Sequence, residues 1–303
     1  MQLEKGSLEP FSNAKIMVMI MFYLILLGLV LGSFINALVW RLRKQDELVY
    51  PELVDNKRRG SKDNLTKDEL SIARGRSMCP ECHHMLAAKD LVPVFSWIWL
   101  RGKCRYCHKP ISWQYPLVEL LTGVLFAVSY VFWPLEFDAL GIFRLAFWLI
   151  FVTGFVALAV YDLHWFELPD RIVWPLLALA VLQTLTVFIV GRDITILAQA
   201  LLGAVVITGV FGGLYAVSKG KWIGFGDVKL SPVLGLLAGT PSKAFLVIFF
   251  ASVIGTLVSL PLFMKDKNSF KKQIPFGPAL LLATLIVVLF GTQVIDWYMS
   301  FLY

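Results

Sequence analysis

Residues 141–161 read Gly-Ile-Phe-Arg-Leu-Ala-Phe-Trp-Leu-Ile-Phe-Val-Thr-Gly-Phe-Val-Ala-Leu-Ala-Val-Tyr and run directly into Asp162-Leu-His-Trp-Phe-Glu-Leu-Pro-Asp170. An apolar run of this length, rising ~1.5 Å per residue as a helix, crosses the ~30 Å hydrocarbon core of a bilayer. The stretch is therefore a membrane helix with a carboxylate at its border. An ionisable group at membrane depth costs several kcal/mol and calls for a reason. Gly224-Phe-Gly-Asp227 sets a second carboxylate at the head of another apolar run.

Working outward, comparable runs occupy 16–40, 116–135, 172–190, 194–217, 244–264 and 276–297. A shorter one, 228–240, lies between Asp227 and Pro241. The 303 residues are 58% hydrophobic and 16% charged, with a mean hydropathy of +0.72. One soluble core has no room for that much apolar surface, so the chain is expected to be an all-α polytopic membrane protein. If 228–240 crosses there are eight transmembrane helices; if it is re-entrant there are seven.

Lys and Arg placement orients the chain, because basic loops next to helix ends stay cytoplasmic. With the segment after the first span inside, 23 of the 28 basic residues fall in inside loops; only Lys5, Lys15, Arg144, Arg192 and Lys243 lie elsewhere. The N-terminus is then extracytoplasmic. Eight spans also keep Lys265, Lys267, Lys271 and Lys272 inside, which favours eight. The first run has Glu4 and Glu9 ahead of it and Arg41, Arg43 and Lys44 behind it, the reverse of a secretory signal, and reads as an uncleaved anchor. The net charge of +7 is explained by loops facing an anionic leaflet. No groove-reading motif accompanies the charge, so the expected partner is the lipid bilayer and not nucleic acid.

The substantial polar region is 41–113. Residues 44–77, with Asn56-Lys-Arg-Arg-Gly and Ser61-Lys-Asp-Asn, read as a solvated insertion, partly helical near Thr66. Residues 79–112 are compact and hold all four cysteines, as Cys79-Pro-Glu-Cys82 and Cys104-Arg-Tyr-Cys107. Two Cys-x-x-Cys knuckles match a four-thiolate tetrahedral site, closed and therefore structural, with zinc as the leading metal and a rubredoxin-like iron as the alternative. His83, His84 and His108 beside the knuckles are either substitutes for a thiolate or supporting groups. No internal repeat or low-complexity tract is evident.

Asp162 alone reads as a solvated carboxylate at a helix border. Asp227 at a second border on the same side changes that reading. Two carboxylates in hydrogen-bond reach share a proton: one polarises a carbonyl while the other directs water onto it. Gly224 and Gly226 are expected to clear side chains from the path of an extended substrate backbone and to permit positive φ. Asp170 after Pro169 reads as a helix cap, and Glu119 as a helix-start charge or a buried polar contact. A serine-protease elbow and a His-Glu-x-x-His helix are both absent.

These motifs, taken in order, resemble the type IV prepilin peptidases, the prepilin leader peptidase/N-methyltransferase family. The likeness runs through Gly32-Ser-Phe-Ile-Asn36 with Arg41, the two cysteine knuckles, and Ile111-Ser-Trp-Gln-Tyr-Pro-Leu-Val-Glu119. It continues through Asp162 to Pro169-Asp170, Gly224-Phe-Gly-Asp227 and Ile274-Pro-Phe-Gly-Pro278. The resemblance implies a bacterial inner-membrane aspartic endopeptidase with Asp162 and Asp227 as its catalytic pair. Its substrates would be type IV prepilins or pseudopilins, cut on the cytoplasmic side after a basic leader. It also implies methylation of the new N-terminal residue with S-adenosylmethionine, for which Gly32 and Asn36 are candidate binding residues. The chain departs from the family pattern at Arg43, where proline is usual, and in the length of the 44–77 insertion.

The expected organisation is thus an extracytoplasmic tail (1–15), a first span (16–40), a cytoplasmic loop with a zinc domain at 79–107 (41–113), and a polytopic aspartic peptidase domain (114–303). The competing readings are a peptidase without methyltransferase activity and a non-enzymatic zinc-bearing membrane scaffold or transporter.

Overall fold

The computed structural model describes residues 9–50, 65–72, 74–265 and 275–301. Most of the tail, residues 51–64 of the insertion, Lys267, Lys271, Lys272 and Ile274 lie outside the described residues. The described chain is helical, with no strand beyond two isolated bridges, Met78 with Met85 and Lys103 with Pro110. Its helices are α1 (Glu9–Val49), α2 (Phe95–Trp99), α3 (Gln114–Val131), α4 (Ala139–Trp165), α5 (Asp170–Gly191), α6 (Ile194–Ser218), α7 (Phe225–Ala238), α8 (Pro241–Lys265) and α9 (Gly277–Met299). They form two compact units, Met1–Val131 and Phe132–Tyr303. α3, which the expected division at 113/114 gave to the peptidase domain, groups by packing with the first unit.

α3 belongs to the first unit because glycines weld it to α1. Gly28-Leu-Val-Leu-Gly32 is a small-x-x-x-small face, the kind that lets membrane helices meet backbone to backbone. A Cβ on Gly28 would stand 2.7 Å from the Gly123 Cα, and one on Gly32 would stand 2.6 Å from the Glu119 Cα. No side chain fits at either crossing.

α1 is also longer than its apolar run, continuing through the charged residues to Val49. Arg41, 5% exposed, explains the extension. Its guanidinium donates to the carbonyls of Ser71 (3.2 Å), Ile72 (3.4 Å) and Gly75 (2.9 Å), while Gln45 donates to Leu70 O at 2.7 Å. Thr66 and Glu69 close a reciprocal capping box over the same turns, and Leu70 is fully buried. Both ends of the expected solvated insertion are therefore structured: 44–49 as helix and 65–72 folded onto it.

In the second unit α7 is the odd member. Its 14 residues span about 21 Å, short of the hydrocarbon core. Seven other helices are long and apolar enough to cross a membrane, so the choice between seven and eight spans rests on α7. Most of its residues are buried, packed by α5, α6, α8 and α9. A helix enclosed by protein need not match the bilayer thickness. Gly235 lets it approach α6: a Cβ there would stand 2.4 Å from the Ala204 Cα. Leu201, Leu202 and Val205 of α6, with Phe245 and Phe249 of α8, face outward and exposed, as lipid-facing residues do.

Candidate active site and metal centre

Asp162 occupies the last turn of α4, which ends when Phe166 adopts left-handed φ (56°) and its N–H bonds back to Asp162 O at 2.9 Å. Asp227 occupies the first turn of α7, reached through a tight reversal in which Lys219 and Gly220 both take positive φ. The two carboxylates are 6% and 8% exposed, and Asp227 lies within electrostatic reach of Asp162. A third element completes the arrangement. The Gly277 N–H, one of the unpaired donors at the start of α9, bonds to the Asp162 carboxylate. A Cβ on Gly277 would lie 2.4 Å from Asp162 Oδ2, so only glycine leaves room for this contact. Leu168 closes the wall between them, 3.2 Å from a Cβ built on Gly226 and 3.6 Å from one built on Gly277.

The geometry revises three expectations. Gly224 and Gly226 do not use positive φ. Gly226 sits in a helical turn and gives its space to Leu168; only Gly224 faces open room, its nearest neighbour being Asp227 Oδ2 at 3.9 Å. Asp170 is not a cap: Pro169 holds that position without a side-chain bond, and Asp170 pairs with Lys229 of α7. That ion pair ties the start of α5 to the residue two places beyond Asp227.

The cysteine knuckles in the first unit are near copies of one another. In each, the first cysteine's N–H bonds to a carbonyl five residues on (Cys79 to His84 O, 3.0 Å; Cys104 to Lys109 O, 2.9 Å). In each, a histidine in the left-handed region follows the second cysteine (His83 φ 55°, His108 φ 58°) and donates to the first cysteine's carbonyl at 3.0 Å. The sequence reading found no internal repeat; at the scale of a hairpin there is one, Cys-x-x-Cys-His twice. The four Sγ atoms lie within 4.8 Å of one another, and Cys79 to Cys107 is 3.9 Å. A tetrahedral ion at ~2.3 Å from each sulfur needs them ~3.8 Å apart, so the set fits one metal ion. No histidine joins the cluster; His84 instead stacks on Tyr106 at 3.7 Å. No cysteine is in a disulfide, and burial pushes the Cys79 thiol up to about 12. Asp90 braces the second knuckle, accepting from Arg105 at 2.7 Å and Tyr106 at 3.1 Å.

A polar cluster lies between α1 and α3. Asn36 donates from Nδ2 to Gly32 O (3.3 Å) and Tyr115 O (3.1 Å), leaving its buried Oδ1 unpartnered. Glu119 is buried and accepts the Val94 N–H at 2.7 Å. Val94 carries φ of 63°, a strained conformation for a β-branched residue that persists only where its surroundings enforce it. The Glu119 bond is the visible constraint.

Comparison with known proteins gives the family. Residues 26–133 match the bacterial peptidase A24 N-terminal domain, and residues 149–260 match the type IV leader peptidase family. A protein of Aeromonas hydrophila named prepilin leader peptidase/N-methyltransferase is 32% identical over 277 residues, covering 91% of this chain and 92% of its own. Likewise named proteins of Stutzerimonas stutzeri (30% over 288 residues, 91% and 93%) and Burkholderia pseudomallei strain K96243 (33% over 275 residues, 89% and 85%) are similar. No solved structure gives a significant match. The chain belongs to the prepilin leader peptidase/N-methyltransferase family.

The first match ends at residue 133, two residues past the end of the first unit at Val131, so α3 goes with the N-terminal domain in both descriptions. Of the expected site residues, the structure brings Asp162 together with Asp227, the four cysteines with one another, and Gly32 with Asn36 and Glu119. Sequence reasoning quoted Gly277 within a motif but gave it no role, and it missed Leu168 and Val94. Gly277 left a signal, since a glycine ahead of a proline in the first turn of a helix keeps a free N–H where an anion is welcome. Leu168 and Val94 left none.

Proposed function

We propose that Asp162 and Asp227 are the catalytic pair of an aspartic endopeptidase that removes the basic leader of type IV prepilins or pseudopilins. The observation that carries the proposal is the meeting of two buried carboxylates from α4 and α7, one of them fixed by the Gly277 amide. The pair holds one proton between them, because two neighbouring carboxylates do not both ionise cheaply. The ionised partner takes a proton from a water whose oxygen attacks the scissile carbonyl, and the protonated partner donates to the carbonyl oxygen. The tetrahedral diol collapses as a proton passes to the amide nitrogen, the C–N bond breaks, and the leader's carboxylate and a new N-terminal amine separate. The open face of Gly224 supports the approach of an extended backbone beside Asp227. The charge asymmetry of the loops supports an inner-membrane protein with an extracytoplasmic N-terminus and both the aspartates and the cysteine module on the cytoplasmic side.

The first unit is proposed to carry N-methylation of the new terminus. S-Adenosylmethionine supplies an electrophilic methyl group when bound. The free Asn36 Oδ1 is an acceptor suited to an ammonium or amine N–H, and Glu119, whose backbone packs on Gly32, adds a buried carboxylate at the same helix crossing. Gly32 serves this site as close-packed floor. The four thiols are proposed to hold zinc as a structural ion, with no position open for substrate.

The test is cleavage of a prepilin-like peptide by the purified full-length protein. Asp162→Asn and Asp227→Asn are each expected to lower the rate at least ~10³-fold, within the range for removal of a general acid or base. Undiminished cleavage in either variant would remove that residue from the mechanism. Labelled S-adenosylmethionine should mark the wild-type product, and absence of label would leave the peptidase alone.

A further inference from the structure

At the end of the second unit away from the aspartates lies a polar cluster that the cleavage chemistry does not use. Arg144 stands 18 residues before Asp162 on α4, and Asp296 stands 19 residues after Gly277 on α9. At ~1.5 Å per residue these separations are about 27 and 29 Å, the thickness of the hydrocarbon core. The cluster therefore sits at headgroup level in the leaflet opposite the aspartates. Lys243, in the first turn of α8, lies within electrostatic reach of both Arg144 and Asp296, and its stem rests against Gly291 of α9, 3.5 Å from a Cβ built there. Phe132 packs on Phe290 at 5.1 Å, which brings Trp133 to this same end of the bundle.

The donors outnumber the acceptors. Arg144 Nε and Trp133 Nε1 are both buried and have no hydrogen-bond partner. Lys243 lies near a second cation, Arg144, and near one carboxylate, Asp296, which is exposed. Buried N–H groups without an acceptor destabilise the state that leaves them so. What they lack is an anion with several acceptor oxygens, and a guanidinium edge matches the oxygens of a phosphate. At this depth the abundant group of that kind is the phosphodiester of a membrane lipid. We propose that Arg144 and Lys243, at the same end of the bundle as Trp133, bind the headgroup phosphate of an anionic phospholipid in the leaflet opposite the catalytic carboxylates. The bound lipid would pin α4, α8 and α9 together at the end of the bundle that Asp162 and Gly277 do not hold.

The test is lipid retention by the full-length protein in detergent, read by native mass spectrometry with phosphatidylglycerol or phosphatidylcholine added at equal concentration. Selective phosphatidylglycerol adducts are expected. Arg144→Gln and Lys243→Gln should each lower their retention about fivefold, the worth of one basic group at a headgroup surface. Asp296→Asn should raise it, because the competing anion is gone; simple damage to the fold would not change retention in that direction. Equal retention of the two lipids, or unchanged retention in both basic-residue variants, would overturn the proposal. So would displacement of phosphatidylglycerol by millimolar inorganic phosphate, which would place a free anion in the site.

Discussion

The two units build their chemistry in opposite ways. In the first, four thiols drawn from 29 consecutive residues converge through two short hairpins, each closed by its own backbone hydrogen bonds. In the second, Asp162, Asp227 and Gly277 come from three helices separated by 65 and 50 residues of chain, and each stands at a helix end. The metal centre is held by local turns and, on the present proposal, by the ion itself. The carboxylate site is held by the packing of membrane helices. A local site should fail all at once when its ion is removed, and a packed site should fail by degrees as its neighbours are moved.

The largest effect is expected from the ion. Cys79→Ser with Cys104→Ser takes one ligand from each knuckle, and structural zinc sites release about 10–16 kcal/mol on binding. Bound metal measured on the purified protein should fall to background, and trypsin should gain access to Lys89, Arg101, Lys103 and Arg105. Because the module's Val94 amide is a partner of Glu119, methylation should fall further than peptide cleavage. Equal loss of both activities would break the separation drawn between the units.

Next comes Gly277→Ala. The new methyl group would stand 2.4 Å from Asp162 Oδ2, so the carboxylate or the start of α9 must move. A displacement near 1 Å at a catalytic group costs about 10²-fold in rate. Cleavage should fall by about that factor while metal content and thermal midpoint stay near wild type. A variant cleaving at the wild-type rate would show that the Gly277 amide does not position Asp162.

Gly32→Ala sharpens the comparison from the other side. In the first unit a helix crossing, and not a reacting group, is at stake. The added Cβ meets Glu119 backbone at 2.6 Å, with no flexible side chain to yield, and overpacking of this kind costs about 1–3 kcal/mol. The thermal midpoint of the detergent-solubilised protein should drop. The concentration of S-adenosylmethionine needed for half-maximal methylation should not rise if Gly32 acts through packing alone.

This contrast also decides how much was legible in the sequence. Apolar runs gave the helices because bilayer thickness imposes a length on each, and α7 stayed ambiguous because a helix enclosed by protein escapes that rule. Cys-x-x-Cys spacing marked the four-thiol cluster because a tetrahedral ion, the ligand such a set can hold, dictates local geometry. Asp162 and Asp227 were legible as charges in costly places, but their meeting depends on close helix approaches, as at Gly235, that no local pattern encodes. The extension of α1 to Val49 was hidden for the same reason: Arg41 reads as a charge leaving the membrane, and its three carbonyl partners lie 30 to 34 residues downstream. The hairpin repeat was visible letter by letter, yet its meaning rests on the left-handed φ at His83 and His108, which composition does not announce.

The smallest expected effect concerns Asp90, the brace of the second knuckle. Burial opposes its charge, but hydrogen bonds from Arg105, Tyr106 and the Ala87 amide outweigh that and hold its pKa below the ordinary carboxylate range. A depressed folded-state pKa contributes stability that is fully present above the unfolded value of ~3.9 and is lost as pH falls through the folded value. Acid release of the metal, driven by thiolate protonation, begins above that window, where Asp90 is ionised and its contribution intact. Asp90→Asn removes the contribution, and a partly exposed Arg105 limits it to roughly 1 kcal/mol or less. Half-release of metal should therefore shift to higher pH by about 0.3 unit, since so small an energy is divided among the several protons the thiolates take up. Wild type and variant should converge once pH falls through the lowered Asp90 pKa, where Asp90 is itself protonated. A shift in the opposite direction would mean that Asp90 opposes the knuckle and does not brace it.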